Sequence, residues 1–420
     1  MRIPAVLRFI VIGSLVAVLA GGCSRTEITA PRDSDPQRIE PIDGLDFFED
    51  PIILPSQDWV VVAEPEVLED IADLEIEVIG YDDFDDTVVA LIDSEGGVTQ
   101  QELLAAGAMA VIPNFAVRIV VDSGSLVIGF VDGEFEVGGT TAWVNLRLPE
   151  VHPHTTGVGV RIGVVDTGAA FDHPLLVNNV VLMQSSRMAQ TEEEPNGVND
   201  DPEFDDHIDE GWGHGTFVSG EVVITAPGAE FLPIRALNHE GNGSVVDVIS
   251  AMYLCRKYEC DVINLSLSFS DYHGEFEKIL NQFLNEGILV VASAGNAGHD
   301  LPLFPASSPY CVGVAAINEH YRFPPFTAMG PLVDVAAPGW RVTSIAITSP
   351  TQRAYASGTS MAAPIVCGAS ALLMEKFGLT ALGAFAHLRA NPHVTWPQDG
   401  VLYGAVDPFA AIHVAPQGGI

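Results

Sequence analysis

Ser360 stands in the run Ala356-Ser357-Gly358-Thr359-Ser360-Met361-Ala362-Ala363-Pro364, ahead of an apolar stretch at helical spacing that includes Ile365, Val366, Ala369, Leu372 and Leu373. That pattern puts its hydroxyl at the start of a buried helix. Unpaired N–H groups and the positive dipole end lie there, and both favour an oxygen that carries charge in a transition state. Asp166 follows the apolar run Val160–Val165 and precedes Thr167-Gly168, so it sits at the carboxyl end of a strand. His214, in Gly211-Trp212-Gly213-His214-Gly215-Thr216, opens another helix. An Asp to hold an imidazole, a His to move a proton and a Ser to attack are the parts of nucleophilic acyl transfer. Asn296, in Ala294-Gly295-Asn296-Ala297-Gly298, adds a side-chain N–H₂ that can reach an oxyanion beside the backbone N–H of Ser360. Each piece alone is an ordinary turn. The chemistry lies in their sharing one chain in the order Asp, His, Asn, Ser, each at an element boundary.

The elements that must hold these residues are near-continuous apolar runs at Val160–Val165, Glu221–Ile224, Phe231–Ile234, Val262–Leu267, Ile288–Ala292, Val312–Ala316 and Val333–Ala336, read as strands buried on both faces. Helical patterns at Val245–Tyr258 and Phe276–Asn285 fall between them. Alternation of this kind predicts an α/β domain with a mostly parallel sheet, helices on both faces and a site at the carboxyl ends of its strands. Upstream, the order is strand (Trp59–Ala63), helix (Val67–Leu74), strand (Ile76–Ile79), strand (Val88–Ile92), helix (Gln100–Ala106), strand (from Ala110). Asp82–Asp86 reads as a turn, and the whole predicts a small α+β, ferredoxin-like domain.

Taken together, Gly163-Val164-Val165-Asp166-Thr167-Gly168, His214-Gly215-Thr216, Val262–Leu267, the Asn296 loop, Asp334-Val335-Ala336-Ala337-Pro338-Gly339 and Gly358–Pro364 resemble the subtilases, the subtilisin-like serine proteases. The resemblance covers about 155–413. It implies Asp166, His214 and Ser360 as the triad and Asn296 as oxyanion donor, with no cofactor required for the chemistry. It also implies protein or peptide substrates. Ser266, Leu267 and Ser268 resemble one edge of the substrate groove, and the segment from Gly241 to Ser244 the other. Ala294 and Gly295 would wall the pocket for the residue before the cut bond. Ser268 and Phe269 replace frequent glycines, and Leu303 lies near a position that is often small, which points to a shallow pocket for small or medium apolar residues. Phe217 and Ile365 replace common histidines. The small domain looks like the family's propeptide, an inhibitor of the chain's own active site, with Ala110–Arg118 resembling its closing strand.

Composition bounds the rest. The chain has 420 residues, 48% of them hydrophobic, and a formal charge of −38 that leaves only Lys257, Lys278 and Lys376 among the lysines. Such a surface excludes nucleic acid as a partner, which needs a basic patch. Arg2 and Arg8 before the apolar run Phe9–Ala20 read as an export signal, and Ala20-Gly21-Gly22-Cys23 is similar to a lipoprotein box in which Cys23 carries the lipid. Simple cleavage at the same bond is the other reading. The product is then either a membrane-anchored lipoprotein of the periplasm or cell surface, or a secreted protein. The expected organisation is a signal peptide (1–22), an acidic, Pro-rich tether (23–57), a propeptide-like domain (58–122), a connecting or processing segment (123–142) and a peptidase domain (143–413).

Asn196–Glu210 holds seven acidic residues, the hard oxygen donors of a structural Ca²⁺ site; a solvated loop accounts for the same composition. Cys255 and Cys260 are near enough in sequence to bridge. Cys311 and Cys367 sit in apolar runs, as a second pair or as buried thiols. Besides a general endopeptidase, the sequence accommodates a processing protease with one target, or a catalytically silent surface lipoprotein that binds peptides in the same groove.

Overall fold

Trp59–Ala63 (β1) sends alternate side chains into two apolar layers, and the same two-residue period shapes the rest of its module. In the computed structural model, residues 58–72, 78–84, 86–93, 97–119, 129–131, 140–181, 184–185, 213–238, 240–269, 272–298, 301–346, 349–396 and 401–416 are described. All belong to one compact unit, Glu40–Ile420. After β1 come α1 (Pro65–Ala72), β2 (Val78–Asp83), β3 (Val88–Ile92), α2 (Gln100–Ala105) and β4 (Ala110–Pro113). The strands form a sheet in the order β2-β3-β1-β4, with β1 antiparallel to both neighbours, which is the ferredoxin-like arrangement. Val61, Ala63, Ala90, Ile92 and Val111 pack with Ile71 and Leu103 of the module's own helices. On the opposite face Val60, Val62, Val89, Leu91 and Ile112 enter a core shared with the larger module. A capping box starts α2, with Thr99 accepting from the Glu102 N–H and the Glu102 carboxylate accepting from Thr99. The second strand departs from the sequence reading. It begins at Val78 and runs through Asp82 and Asp83, which pair with Val89 and Val88, because a short loop suffices for the hairpin.

Two short strands, β5 (Ala116–Arg118) and β6 (Gly129–Val131), lead to α3 (Thr141–Asn145) and α4 (Leu148–Val151). The larger module follows with β7 (Arg161–Asp166), β8 (Gln184–Ser185), α5 (His214–Thr225), β9 (Glu230–Arg235), β10 (Asn242–Ser244), α6 (Val245–Lys257), β11 (Val262–Leu265), α7 (Gly274–Glu286), β12 (Leu289–Ser293), β13 (Val312–Ile317), β14 (Val335–Pro338), β15 (Val342–Ala346), β16 (Ser349–Ala356), α8 (Thr359–Phe377), α9 (Ala381–Arg389) and α10 (Pro408–Ile412). The main sheet has the order β14-β13-β12-β11-β7-β9-β8, and its pairs are parallel.

Ile162 and Val164 face a core shared with α5 and α8. Val165, Ile263 and Leu265 face the opposite core, which holds α6, α7 and the inner face of the small sheet. Burial on both faces is why these strands are apolar without alternation. The strand order reverses between β7 and β11, and the crevice at their carboxyl ends is where such sheets carry their sites.

The run Glu221–Ile224, read from sequence as a strand, lies inside α5. That helix is buried from His214 to Thr225, so its apolar content has no solvent face to betray its period. Cys255, Cys260, Cys311 and Cys367 are buried free thiols, and neither expected pairing forms a disulfide. The signal, Cys23, the tether, most of the connecting segment and the acidic loop Asn196–Glu210 lie outside the described residues. Among those described, no cluster of His, Cys, Asp and Glu is fit to hold a metal ion.

Candidate active site

Asp166 ends β7, and its carboxylate accepts the Thr167 N–H at 2.7 Å. Its other partner is His214, the first residue of α5, whose Nδ1 lies 2.8 Å from Oδ1 and 3.0 Å from Oδ2. Both side chains are buried, at 1% and 0% exposed. Such a bond fixes the ring's tautomer and leaves Nε2 as the working nitrogen. Nε2 has no hydrogen-bond partner among the described residues. The helix start approaches β7 this closely because residue 215 is glycine. A Cβ there would stand 2.0 Å from the Gly168 carbonyl oxygen and 3.1 Å from Asp166 Oδ1. Thr167 adds a clamp, its hydroxyl accepting the Gly215 N–H at 3.1 Å.

Ser360 reaches the same place from α8. Strand β11 pairs with β7 through Leu265 and Val165, so Ser266 lies just past the strand end, one strand spacing from Asp166. The Ser360 hydroxyl donates to the Ser266 carbonyl at 3.3 Å, and the Ser266 hydroxyl donates to the Ser360 carbonyl at 2.8 Å. The second bond has a cause in the sequence. Pro364 lacks the N–H that would have closed the helical bond to the Ser360 carbonyl, and Ser266 takes its place.

Asn296 is oriented by the residue before Ser360. Its Oδ1 accepts from the Thr359 N–H at 2.8 Å and from the Thr359 hydroxyl at 3.0 Å, which turns Nδ2 the other way. The Thr359 hydroxyl also accepts the Gly295 N–H at 3.0 Å. A Cβ built on Gly358 would stand 3.4 Å from Asn296 Nδ2 and 3.8 Å from Ser360 N. Both donors therefore border one small space beside Gly358, the geometry an oxyanion needs. Thr359 and Thr167 hold Asn296 and the start of α5 in place; the only sequence signal for either is adjacency to Ser360 or Asp166.

A strand of the chain itself lies between the two segments expected to form the substrate edges. Strand β5 pairs antiparallel with β10, Val117 opposite Gly243 and Arg118 opposite Asn242. On its other side, the Arg118 N–H donates to the Ser268 carbonyl at 3.4 Å and the Ser268 N–H to the Arg118 carbonyl at 3.0 Å. The Ile119 N–H donates to the Gly241 carbonyl at 2.9 Å. Residues 116–119 thus form the middle strand between both groove edges. Val117 and Ile119 are buried in the apolar layer that contains Leu267. Ala294 is fully buried, and its carbonyl accepts the Leu303 N–H at 2.8 Å. The Leu303 side chain comes within 3.0 Å of where a Gly295 Cβ would be. Phe217 packs in a core with Val342, Ala354 and Met361, and Ile365 joins the main core, both away from the reacting groups.

An α/β sheet with a buried Asp-His pair, a serine at a helix start and two converging N–H donors at its switch point has the form of a serine hydrolase. The family model described as the subtilase family matches residues 157–385. Thermitase from Thermoactinomyces vulgaris is 33% identical over 242 residues, which is 55% of this chain and 80% of that protein. A thermophilic serine proteinase from Bacillus sp. (strain AK1) is 32% identical over 228 residues, 52% of this chain, and the match spans 53% of that relative's length. Subtilisin E from Bacillus subtilis (strain 168) is 29% identical over 245 residues, 55% of this chain and 60% of the relative. The chain belongs to the subtilase family.

Proposed function

We propose that the chain is an exported serine endopeptidase, made with its own inhibitor in place, that hydrolyses peptide bonds in proteins. Rotation of the Ser360 side chain swings Oγ from the Ser266 carbonyl toward His214 Nε2. Oγ then attacks the scissile carbonyl as Nε2 takes its proton. The bond to the leaving nitrogen breaks as His214 returns that proton, and water cleaves the acyl-Ser360 ester by the same path. Asp166 holds the ring and stabilises the imidazolium. Asn296 Nδ2 and the Ser360 N–H receive the oxyanion. No step calls for a cofactor.

The observation that carries this reading is the extended strand Ala116–Ile119, paired on one side with Gly241–Ser244 and on the other with Ser268. It supports a zymogen in which residues 58–122 inhibit, and in which the self-cleaved bond lies downstream of Ile119. Leu303 against Gly295 supports a shallow pocket for small or medium apolar residues. Export, and lipid attachment at Cys23 as a membrane anchor, rest on the leader sequence. Structural Ca²⁺ rests on the acidity of Asn196–Glu210.

The test is to treat the purified protein with a fluorophosphonate probe and, separately, with a panel of unfolded proteins. Labelling at Ser360 and digestion of most of the panel are expected. An unlabelled Ser360 with no digestion would sink the proposal. Cleavage of a single protein would replace broad digestion with a dedicated processing role.

A further inference from the structure

Upstream of the groove-bound strand, Phe115 sits in an aromatic slot built by the larger module. Its ring lies nearly parallel to the His273 imidazole, with centroids 3.7 Å apart at 12°, and edge-on to Phe269 at 5.3 Å. Its carbonyl accepts the Val245 N–H at 2.9 Å, which fixes the backbone at the start of α6. The slot has a rigid floor. Phe269 packs against Phe276 at 4.8 Å and Phe304 at 5.5 Å, all three are at most 3% exposed, and the Phe269 N–H donates to the Phe304 carbonyl at 2.7 Å. His273, at the N-cap of α7, is a second and partly exposed wall. Phe269 also directly follows Ser268, which pairs with Arg118. The slot is therefore a continuation of the groove edge, at a fixed distance of three residues along the bound strand.

We infer that this slot is a distal substrate subsite, selective for an aromatic side chain three residues upstream of the one that pairs with Ser268. The inference rests on the endopeptidase reading. Phe115 is its intramolecular occupant, and a protein substrate takes the place once Ala116–Ile119 has left. Two flat walls, one of them an imidazole, reward a planar ring with stacking and edge contacts that an aliphatic side chain does not match.

The test uses internally quenched peptides with the chain's own sequence from Val111 to Gly124, carrying Phe, Trp, Leu or Ala at the position of Phe115, and the cut bond mapped by mass. With the purified protein, the Phe and Trp peptides should exceed the Ala peptide in kcat/KM by about five-fold, mostly through KM. His273→Ala should reduce that ratio to below about two-fold, while His273→Phe, which keeps a flat ring, should retain it. A ratio below about two-fold in the unaltered protein, or one that survives His273→Ala, overturns the subsite. If no peptide is cut, the endopeptidase reading fails, and the slot is read on the intact Ser360→Ala chain by hydrogen exchange. There Phe115→Ala and His273→Ala should each speed exchange at the Arg118 and Ile119 amides, with the double variant no faster than the faster single one. Unchanged exchange in both singles overturns the slot as well.

Discussion

At the scale of single residues, the site depends on how few atoms are left with freedom to move. Asp166 is bound by Thr167 and His214, and Asn296 by Thr359, before any substrate arrives. Electrostatic stabilisation of an oxyanion works when donors are set in advance, since no reorganisation is then needed in the transition state. Asn296→Ala should lower kcat by about 10²–10³-fold with little change in KM, the cost of one such donor. Thr359→Val, which removes the hydroxyl that orients Asn296, should fall between that variant and the unaltered protein. Steady-state kinetics on a cleavable peptide check both. An equal rise in KM with kcat preserved would mean that these residues bind substrate and transition state alike. The types and order of Asp166, His214, Asn296 and Ser360 were legible in the sequence because each stands in a short, glycine-bounded turn. The bond from Ser266 to the Ser360 carbonyl was not, because it follows from the N–H that Pro364 lacks.

At the scale of elements, α5 shows both how far sequence patterns reach and where they stop. Its start was visible at His214, yet its middle, Glu221–Ile224, imitates a buried strand. A helix enclosed on all sides carries no polar stripe to mark a period of 3.6. Glu221 is the price of that enclosure. It lies two turns beyond His214, and neither of its carboxyl oxygens has a hydrogen-bond partner among the described residues. Burial pushes its pKa well above the usual carboxylate range, with the nearby Ser344 hydroxyl a lesser, opposing influence. The folded carboxyl thus keeps its proton at pH values where the unfolded chain, near its ordinary value of about 4.3, has lost it. Stability contributed in this way is full below the unfolded value and declines as pH rises toward the folded one. Glu221→Gln should remove the decline. In a Ser360→Ala background, which prevents self-digestion, the Tm of Glu221→Gln minus that of the parent should grow between pH 4 and pH 8. A constant or shrinking difference would show that Glu221 is not held neutral. The small sheet was legible through its short apolar runs at Trp59–Ala63 and Val88–Ile92, set between helical patterns. The hairpin at Asp82 and Asp83 was not, because their acidity read as a turn while they pair with β3 in the structure.

At the scale of the molecule, two modules share one core. One face of the ferredoxin-like sheet lies on α6 and α7, so Val60, Val62, Leu91 and Ile112 complete the apolar layer of the larger module. A bidentate ion pair from Arg256 to Asp86 ties the β2–β3 hairpin to α6 at 2.6 and 2.8 Å, and the guanidinium holds the Asp86 carboxyl at about 2. From this platform the chain runs on through Phe115 to Ile119, beside Gly241. No local pattern in the sequence announced that Phe115 meets His273, or that Arg118 meets Ser268. Such contacts join segments far apart in the chain and exist only once both modules have folded. If the small module is an inhibitor that the larger one removes by its own chemistry, as proposed, intact mass is the most direct test. Purified protein lacking residues 1–22 should lose an N-terminal piece of roughly 100 residues, cut downstream of Ile119, while Ser360→Ala stays whole. If both proteins stay whole, or both are cut alike, then Ser360 is not the nucleophile that releases the groove.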